Sequence, residues 1–277
     1  MKINSPLIIE GRNLSVVWAK AFLAVYDGGG SIHYPFCISI QGFEDNCPVE
    51  SSEVRRALDA ALAGHEKHKC SIDETAATIF PVRRPYKTDP ESRQSIYSWY
   101  LDGMIPRLKK RSHLNRYGTY FERMIAFEGI KGSEKVRINQ LEHIIGFWNE
   151  RKSQNMGVRR SAMQVSCLDP ARDHTRQPQR GFPCLQQIGF CYDKSGGLLV
   201  SAFYPTQYIF DRAYGNYLGI CQLGAFMARS MDLELENFTC FVACPELGTT
   251  KKSVSDLADY LRQFVELNSN PMDGSTK

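Results

Sequence analysis

The chain has 277 residues, of which 43% are hydrophobic, and this is enough to bury a substantial core. A formal net charge of +4 favours small anionic ligands such as phosphates but is too weak to predict nucleic-acid binding. Nine cysteines without paired spacing favour a reducing compartment over a disulfide framework. No segment approaches the ~18 apolar residues of a membrane helix, and residues 1–10 lack a signal-peptide pattern, so a soluble cytoplasmic protein is expected.

The first half of the chain predicts several helices. Residues 16–25 are apolar enough for a buried helix that ends at Gly28. Ser51 or Ser52 is a candidate N-cap for a second helix, whose apolar residues repeat every four positions. Residues 138–148 have a clear amphipathic pattern, which predicts a third helix with one buried stripe.

One short segment has the residue types of a metal site. His65, His68 and Cys70 lie close together, but two of the residues between them, Lys67 and Lys69, would repel a cation. No second cluster of ligand residues follows nearby, so the segment is interpreted as a polar helix exit and no metal is predicted.

The second half of the chain predicts a sheet with packed helices. The predicted strands cover residues 161–168, 185–192, 198–204 and 238–244, and the second and third flank a hairpin turn signal. A long apolar helix is predicted over residues 218–231. The whole pattern favours an α+β fold with a mostly antiparallel sheet, in which residues 1–268 form a single large domain and residues 269–277 a flexible tail.

A series of short motifs follows the order seen in one enzyme family. These motifs are Tyr117-Gly118, Ile138 to Leu141, Val158-Arg159-Arg160, Val165 to Cys167, Pro183-Cys184, Asn216 and Met227 to Glu234. In this order, and at nearly these separations, they resemble the core of thymidylate synthase and its pyrimidine hydroxymethylase relatives. The resemblance implies a thymidylate synthase-like fold with a divergent N-terminal part, 1–110, and a recognisable core, 111–268.

The resemblance implies that Cys184 is the catalytic nucleophile. A thiolate that adds to C6 of a uracil ring makes C5 enolate-like, so that C5 can attack a one-carbon donor. Neighbouring positive charge must lower the pKa of such a thiol. The implied function is transfer of a one-carbon unit to C5 of a uracil-type pyrimidine nucleotide, with 5,10-methylenetetrahydrofolate as the implied donor.

The resemblance also implies the residues that bind the nucleotide. Arg159 and Arg160 would hold its phosphate across a homodimer interface, because guanidinium forks bind phosphate oxygens bidentately. Asn216 would read the base, since an amide both donates and accepts and matches O4 and N3–H of uracil. Gln187 is a further substrate-binding candidate, close to the position of a family glutamine that follows the cysteine.

Each of these residues also has an ordinary structural interpretation. Cys184 could be a buried thiol, Arg159 and Arg160 surface charges, and Asn216 a helix N-cap. The family's phosphate-binding arginine after the next strand has no match, and Arg212 is the nearest arginine. The alternative prediction is therefore a catalytically inactive, synthase-like dimer that binds a ligand or acts as a scaffold, and a nucleic-acid binder ranks last.

Overall fold

The computed structural model describes residues 6–30, 34–67, 69–82, 85–111, 115, 118–174, 176 and 183–269. Among the features discussed above, His68, Tyr117 and residues 270–277 of the predicted tail lie outside this part of the chain. Within the described residues, no helix is both long enough and apolar enough to cross a membrane.

Helices and strands are interspersed along the described chain. The helices are α1 Leu14–Asp27, α2 Ser52–Ala63, α3 Ile72–Ala76, α4 Pro90–Ser98, α5 Ile105–Arg111, α6 Tyr120–Ile125, α7 Gln140–Ser153, α8 Pro170–Asp173, α9 Tyr214–Ser230 and α10 Ser255–Ser269. The strands are β1 Leu7–Gly11, β2 Phe36–Ile40, β3 Phe43–Glu44, β4 Cys47–Pro48, β5 Phe127–Lys131, β6 Glu134–Ile138, β7 Gln164–Ser166, β8 Gln187–Tyr192, β9 Gly197–Tyr208 and β10 Glu234–Glu246. Two π-helical segments, Trp99–Met104 and Ile209–Ala213, lead directly into α5 and α9.

The central sheet has six strands in the order β1-β2-β10-β9-β8-β7. The β1–β2 and β10–β9 pairs are parallel, whereas the other pairs are antiparallel. The prediction of helices packed on a sheet is confirmed, and the sheet is mixed. It is mixed because the apolar helix predicted over residues 218–231 is the crossover α9, and such a crossover lets β10 pair with β9 in parallel.

The two faces of the sheet differ in their surroundings. In β9, Leu198, Val200, Ala202 and Tyr204 are buried towards the core, whereas Ser201, between them, is exposed. The opposite face carries exposed apolar side chains in β1 and β10, and two phenylalanine rings of β9 and β10 stack on it at 5.8 Å. One face therefore forms the hydrophobic core, and the other stays open in the single chain.

Helices α3 and α9 approach each other closely because α9 presents glycines to α3. A Cβ atom on Gly215 would lie 2.5 Å from Cβ of Thr75, and one on Gly219 would lie 2.7 Å from the carbonyl oxygen of Ala76. Only residues without a side chain permit such backbone contact. The contact brings Thr75 to the turn of α9 that carries Asn216.

Replacement of Gly219 by alanine tests this packing. We expect Gly219→Ala to lower the free energy of unfolding by about 1–3 kcal/mol, because the added methyl group overpacks the α3–α9 contact. Gly146→Ala is the matched control, because Gly146 is exposed in α7 and an added Cβ there meets nothing within 4 Å. The control should gain up to about 1 kcal/mol from helix propensity. Equal urea-unfolding curves for the two variants would contradict the close approach.

Candidate functional site

A cavity of about 380 Å³ lies where α3, α6, the end of β9 and the start of α9 meet. This volume falls within the range of small-molecule sites. The residues with polar groups in its wall include Thr75, Tyr120, Cys184, Gln207, Arg212 and Asn216. The fold therefore brings together two of the residues that the sequence singles out, Cys184 and Asn216.

Cys184 is exposed, and its backbone is hydrogen-bonded to the side chain of Tyr120. The phenolic oxygen of Tyr120 accepts hydrogen bonds from the backbone N–H groups of Cys184, at 3.2 Å, and Leu185, at 3.4 Å. Burial raises the pKa of Tyr120, so its hydroxyl stays neutral. Leu185 is fully buried and anchors the segment in the core. Cys184 thus differs from the buried cysteines of the chain and opens into the cavity.

The pKa of the Cys184 thiol is set by two opposing effects. Partial desolvation by the surrounding protein atoms disfavours the thiolate, and the positive charge of Arg212 opposes this effect. Desolvation is the larger effect, so the pKa of the thiol lies above its usual value. The thiol is therefore mainly protonated at neutral pH in the single chain, and further positive charge would be needed to activate it.

Arg212 lines the cavity, although its position in the sequence does not match that of the family's phosphate-binding arginine. It lies in the π-helical segment Ile209–Ala213, which leads directly into α9. Among the described residues, the carboxylate in contact with it is that of Asp211, 3.8 Å from Nε, and Asp211 already accepts from Nζ of Lys69 at 2.8 Å. The Arg212 guanidinium is therefore only loosely paired and can serve an anionic group in the cavity.

Asn216 is not a helix N-cap. It is the third residue of α9, and the cap position is Ala213. Its side chain is 95% buried, yet no hydrogen bond joins its amide to another described residue. Because buried polar groups normally have partners, this amide is suited to pair with a ligand in the cavity.

Arg123 lines the same cavity but is committed to the protein. Its two terminal nitrogens donate to the carboxylate of Asp173 at 2.6 and 2.8 Å, and one also donates to the carbonyl oxygen of Cys167 at 2.7 Å. Burial opposes ionisation of Asp173, but the hydrogen bonds from Arg123 outweigh it and lower the pKa of Asp173. The pair is therefore a fixed part of the wall.

The other three residues that the sequence singles out lie outside the wall of this cavity. Arg159 and Arg160 are exposed, and Arg160 lies over the ring of Tyr192 at 4.8 Å and donates to its carbonyl oxygen. Gln187 is exposed on the open face of the sheet and donates to Oε1 of Gln164 at 3.0 Å. Any role of these residues at a ligand requires a second copy of the chain.

Comparison with models of known protein families and with curated proteins finds no match to this chain. Among the described residues, no three His, Cys, Asp or Glu side chains are arranged to hold a metal ion.

The influence of Arg212 on Cys184 can be measured by alkylation. The rate at Cys184, followed by peptide mass spectrometry with iodoacetamide, should rise with pH as the thiolate forms. We expect Arg212→Gln to shift this profile to higher pH and slow alkylation several-fold at neutral pH, because one pKa unit changes the thiolate fraction about tenfold. The control Arg56→Gln changes an exposed residue of α2 outside the cavity wall. Identical profiles for wild type and Arg212→Gln would contradict the assigned contact.

Proposed function

We propose that this protein is a divergent thymidylate synthase-like transferase, which adds a one-carbon unit to C5 of a uracil-type nucleotide through the Cys184 thiolate. The observation that supports the proposal is that Cys184, Arg212 and Asn216 share one cavity. They supply a nucleophile, a loosely paired cation and an unpaired amide, which are the groups that this reaction and its substrate require.

The chemistry follows from these three groups. The Cys184 sulfur forms a bond to C6, and the C5–C6 double-bond electrons move onto C5 and O4. Asn216 donates to O4, where negative charge develops. C5 then takes up either a proton from solvent or a one-carbon group from a donor whose leaving group departs with the bonding electrons. The original proton on C5 leaves to solvent, and the re-formed double bond expels the thiolate. Arg212 favours the thiolate before addition and after release.

The described residues do not fit a folate bound beside a nucleotide. A cavity of about 380 Å³ suits one ligand of nucleotide size. The aromatic residues in its described wall are Tyr120 and Tyr208, and the Tyr120 hydroxyl is engaged with the backbone of the Cys184 segment. The chemistry that these residues support is therefore the addition of the thiolate to C6, which needs no cofactor.

We propose that two copies of the chain pair through the open face of the sheet. Ile8 is 67% and Phe241 is 39% exposed on that face, and an exposed apolar surface of this kind is typical of an interface. Arg159 and Arg160 lie beside β7 of the same sheet and form no ion pair with a described carboxylate. In a homodimer they are available to contribute positive charge to the cavity of the other copy.

The exchange of the C5 hydrogen tests the proposed reaction without a one-carbon donor. Reversible addition of the thiolate to C6 lets C5 take a deuteron from D₂O and lose its proton. We expect UMP or dUMP to lose its H5 signal in proton NMR with wild-type protein and to keep it with Cys184→Ala. Cys47→Ala is the matched control, because Cys47 is also exposed but lies outside this cavity.

The result separates the two candidate functions. Exchange that persists in Cys184→Ala, or is absent in wild type, would reject the enzyme. If wild type binds the nucleotide without exchange, the protein is the inactive, synthase-like binding module. Incubation with 5-fluoro-dUMP and methylene-folate, followed by intact mass, tests the conclusion about folate: a covalent ternary adduct at Cys184 would show that a folate does bind beside the nucleotide.

A charged residue in the open face tests the dimer. We expect Phe241→Asp to convert a dimer into a monomer in analytical ultracentrifugation, because pairing would bury an unpaired carboxylate. Leu267→Asp is the control, since Leu267 is 80% exposed on α10, away from the sheet. A wild-type protein that sediments as a monomer at micromolar concentration would contradict the proposed interface.

A further inference from the structure

Gln207 is buried in the cavity wall with one half of its amide unpaired. The side chain is only 2% exposed, and its Oε1 accepts a hydrogen bond from the Tyr217 hydroxyl at 2.9 Å. Its Nε2 is closed to solvent and has no hydrogen-bond partner among the described residues. A buried donor without an acceptor is costly, so a ligand that supplies an acceptor would gain from it.

Tyr217 fixes the orientation of this amide. Tyr217 is fully buried in α9, and burial raises its pKa well above the usual value, so it remains a hydroxyl. Its proton is satisfied by Oε1 of Gln207. The opposite orientation of the amide would leave the phenolic proton without that acceptor. Gln207 therefore keeps its two N–H groups for other contacts.

Gln207 lies in the cavity wall because the alternation of buried and open side chains along β9 is interrupted before it. Along β9, buried and open residues alternate up to Tyr204, which would put residue 207 on the open face. The alternation breaks at Pro205 and Thr206, which are both half-buried, and Gln207 is buried. The same shift occurs in β10, where Pro245, the partner of Gln207, is buried out of phase.

We propose that Gln207 is a specificity-determining residue: a small rotation of its side chain opens Nε2 to this cavity, where Nε2 donates to a ring carbonyl oxygen of a pyrimidine. Tyr217 acts as the positioning residue that keeps the donor side of the amide available. This inference rests on the proposed function. Because Nε2 only donates, the site favours a carbonyl over an amino group at that ring position, which adds a second criterion to the one supplied by Asn216.

Coupling between a protein variant and a ligand analogue tests the contact. Gln207→Met keeps the length of the side chain and removes the donor. We expect it to weaken UMP binding in calorimetry about tenfold or more. Two analogues are compared: the 2-pyrimidinone ribonucleotide, which lacks O4, and 2-thio-UMP, in which sulfur replaces O2. The difference in affinity between UMP and one of these analogues should be about tenfold smaller with Gln207→Met than with wild type.

Tyr217→Phe provides the test of positioning. It should weaken the coupling between Gln207 and the ligand carbonyl, because the amide can then turn. If that carbonyl is O4, Tyr217→Phe should also reduce the preference of the protein for UMP over CMP. The double variant Gln207→Met with Tyr217→Phe removes both polar partners and should recover the thermal stability lost in Tyr217→Phe. This recovery would show that the single variants lose a hydrogen bond rather than the fold.

The outcomes separate this inference from the proposed function. Wild type that binds UMP, combined with no coupling to either analogue, overturns the role of Gln207 alone. Absence of saturable UMP binding to wild type overturns both proposals. Coupling to either analogue supports the contact and identifies which carbonyl it reaches. Coupling to the 2-pyrimidinone ribonucleotide should be accompanied by a reduced UMP-to-CMP ratio in Tyr217→Phe, whereas coupling to 2-thio-UMP should leave that ratio unchanged.

Discussion

The candidate site depends on the tight packing of α9 between the sheet and α3. Nearly every residue of α9 is buried, and Gly215 and Gly219 allow backbone contact with α3. This contact fixes Thr75 against the first turn of α9, which carries Asn216. Tyr217, one residue further on, fixes the amide of Gln207 from the sheet. One rigid helix thus sets the positions of polar groups from three elements, as a precise binding site requires.

The charges of the cavity are divided between a fixed pair and a loosely paired cation. Arg123 is held by Asp173 and cannot respond to a ligand without leaving a buried carboxylate unpaired. Arg212 can respond, but it is also the charge that opposes the raised pKa of Cys184. A phosphate bound at Arg212 would remove that help from the thiol. In the proposed dimer, Arg159 and Arg160 of a second copy would relieve this conflict, because they add positive charge that is not already paired.

The sequence predicts the helices and strands well, but it predicts poorly which residues line the cavity. The amphipathic pattern at residues 138–148 and the hairpin around the Asp193–Gly197 turn are confirmed as α7 and as the β8–β9 pair. Ser51 is the N-cap where Ser51 or Ser52 was expected. These features follow from local periodicity and capping, which depend on neighbouring residues alone.

The cavity residues that the sequence did not single out have identifiable physical causes. Arg212 enters the wall from the π-helical segment that precedes α9, and Gln207 is turned inward by a phase shift shared by β9 and β10. Neither irregularity leaves a periodic signal. Gln187, in contrast, lies opposite Phe203 on the open face, where the regular alternation of β8 places it. Cys184 and Asn216, which only the resemblance relates to each other, line the same cavity.

The distribution of unpaired polar atoms is the strongest general argument for a ligand. Folded proteins pair nearly all of their buried polar groups, so exceptions at one place require an explanation. In the described residues, Thr75 and Gln207 carry such atoms in the cavity wall, Asp211 carries one on the β9–α9 connection, and Tyr204 carries one within β9. Arg151 has one on a different helix. If these atoms reflected loose packing, they would be scattered through the core. Their concentration around a thiol and a loosely paired guanidinium instead indicates a cavity shaped for a polar, partly anionic ligand.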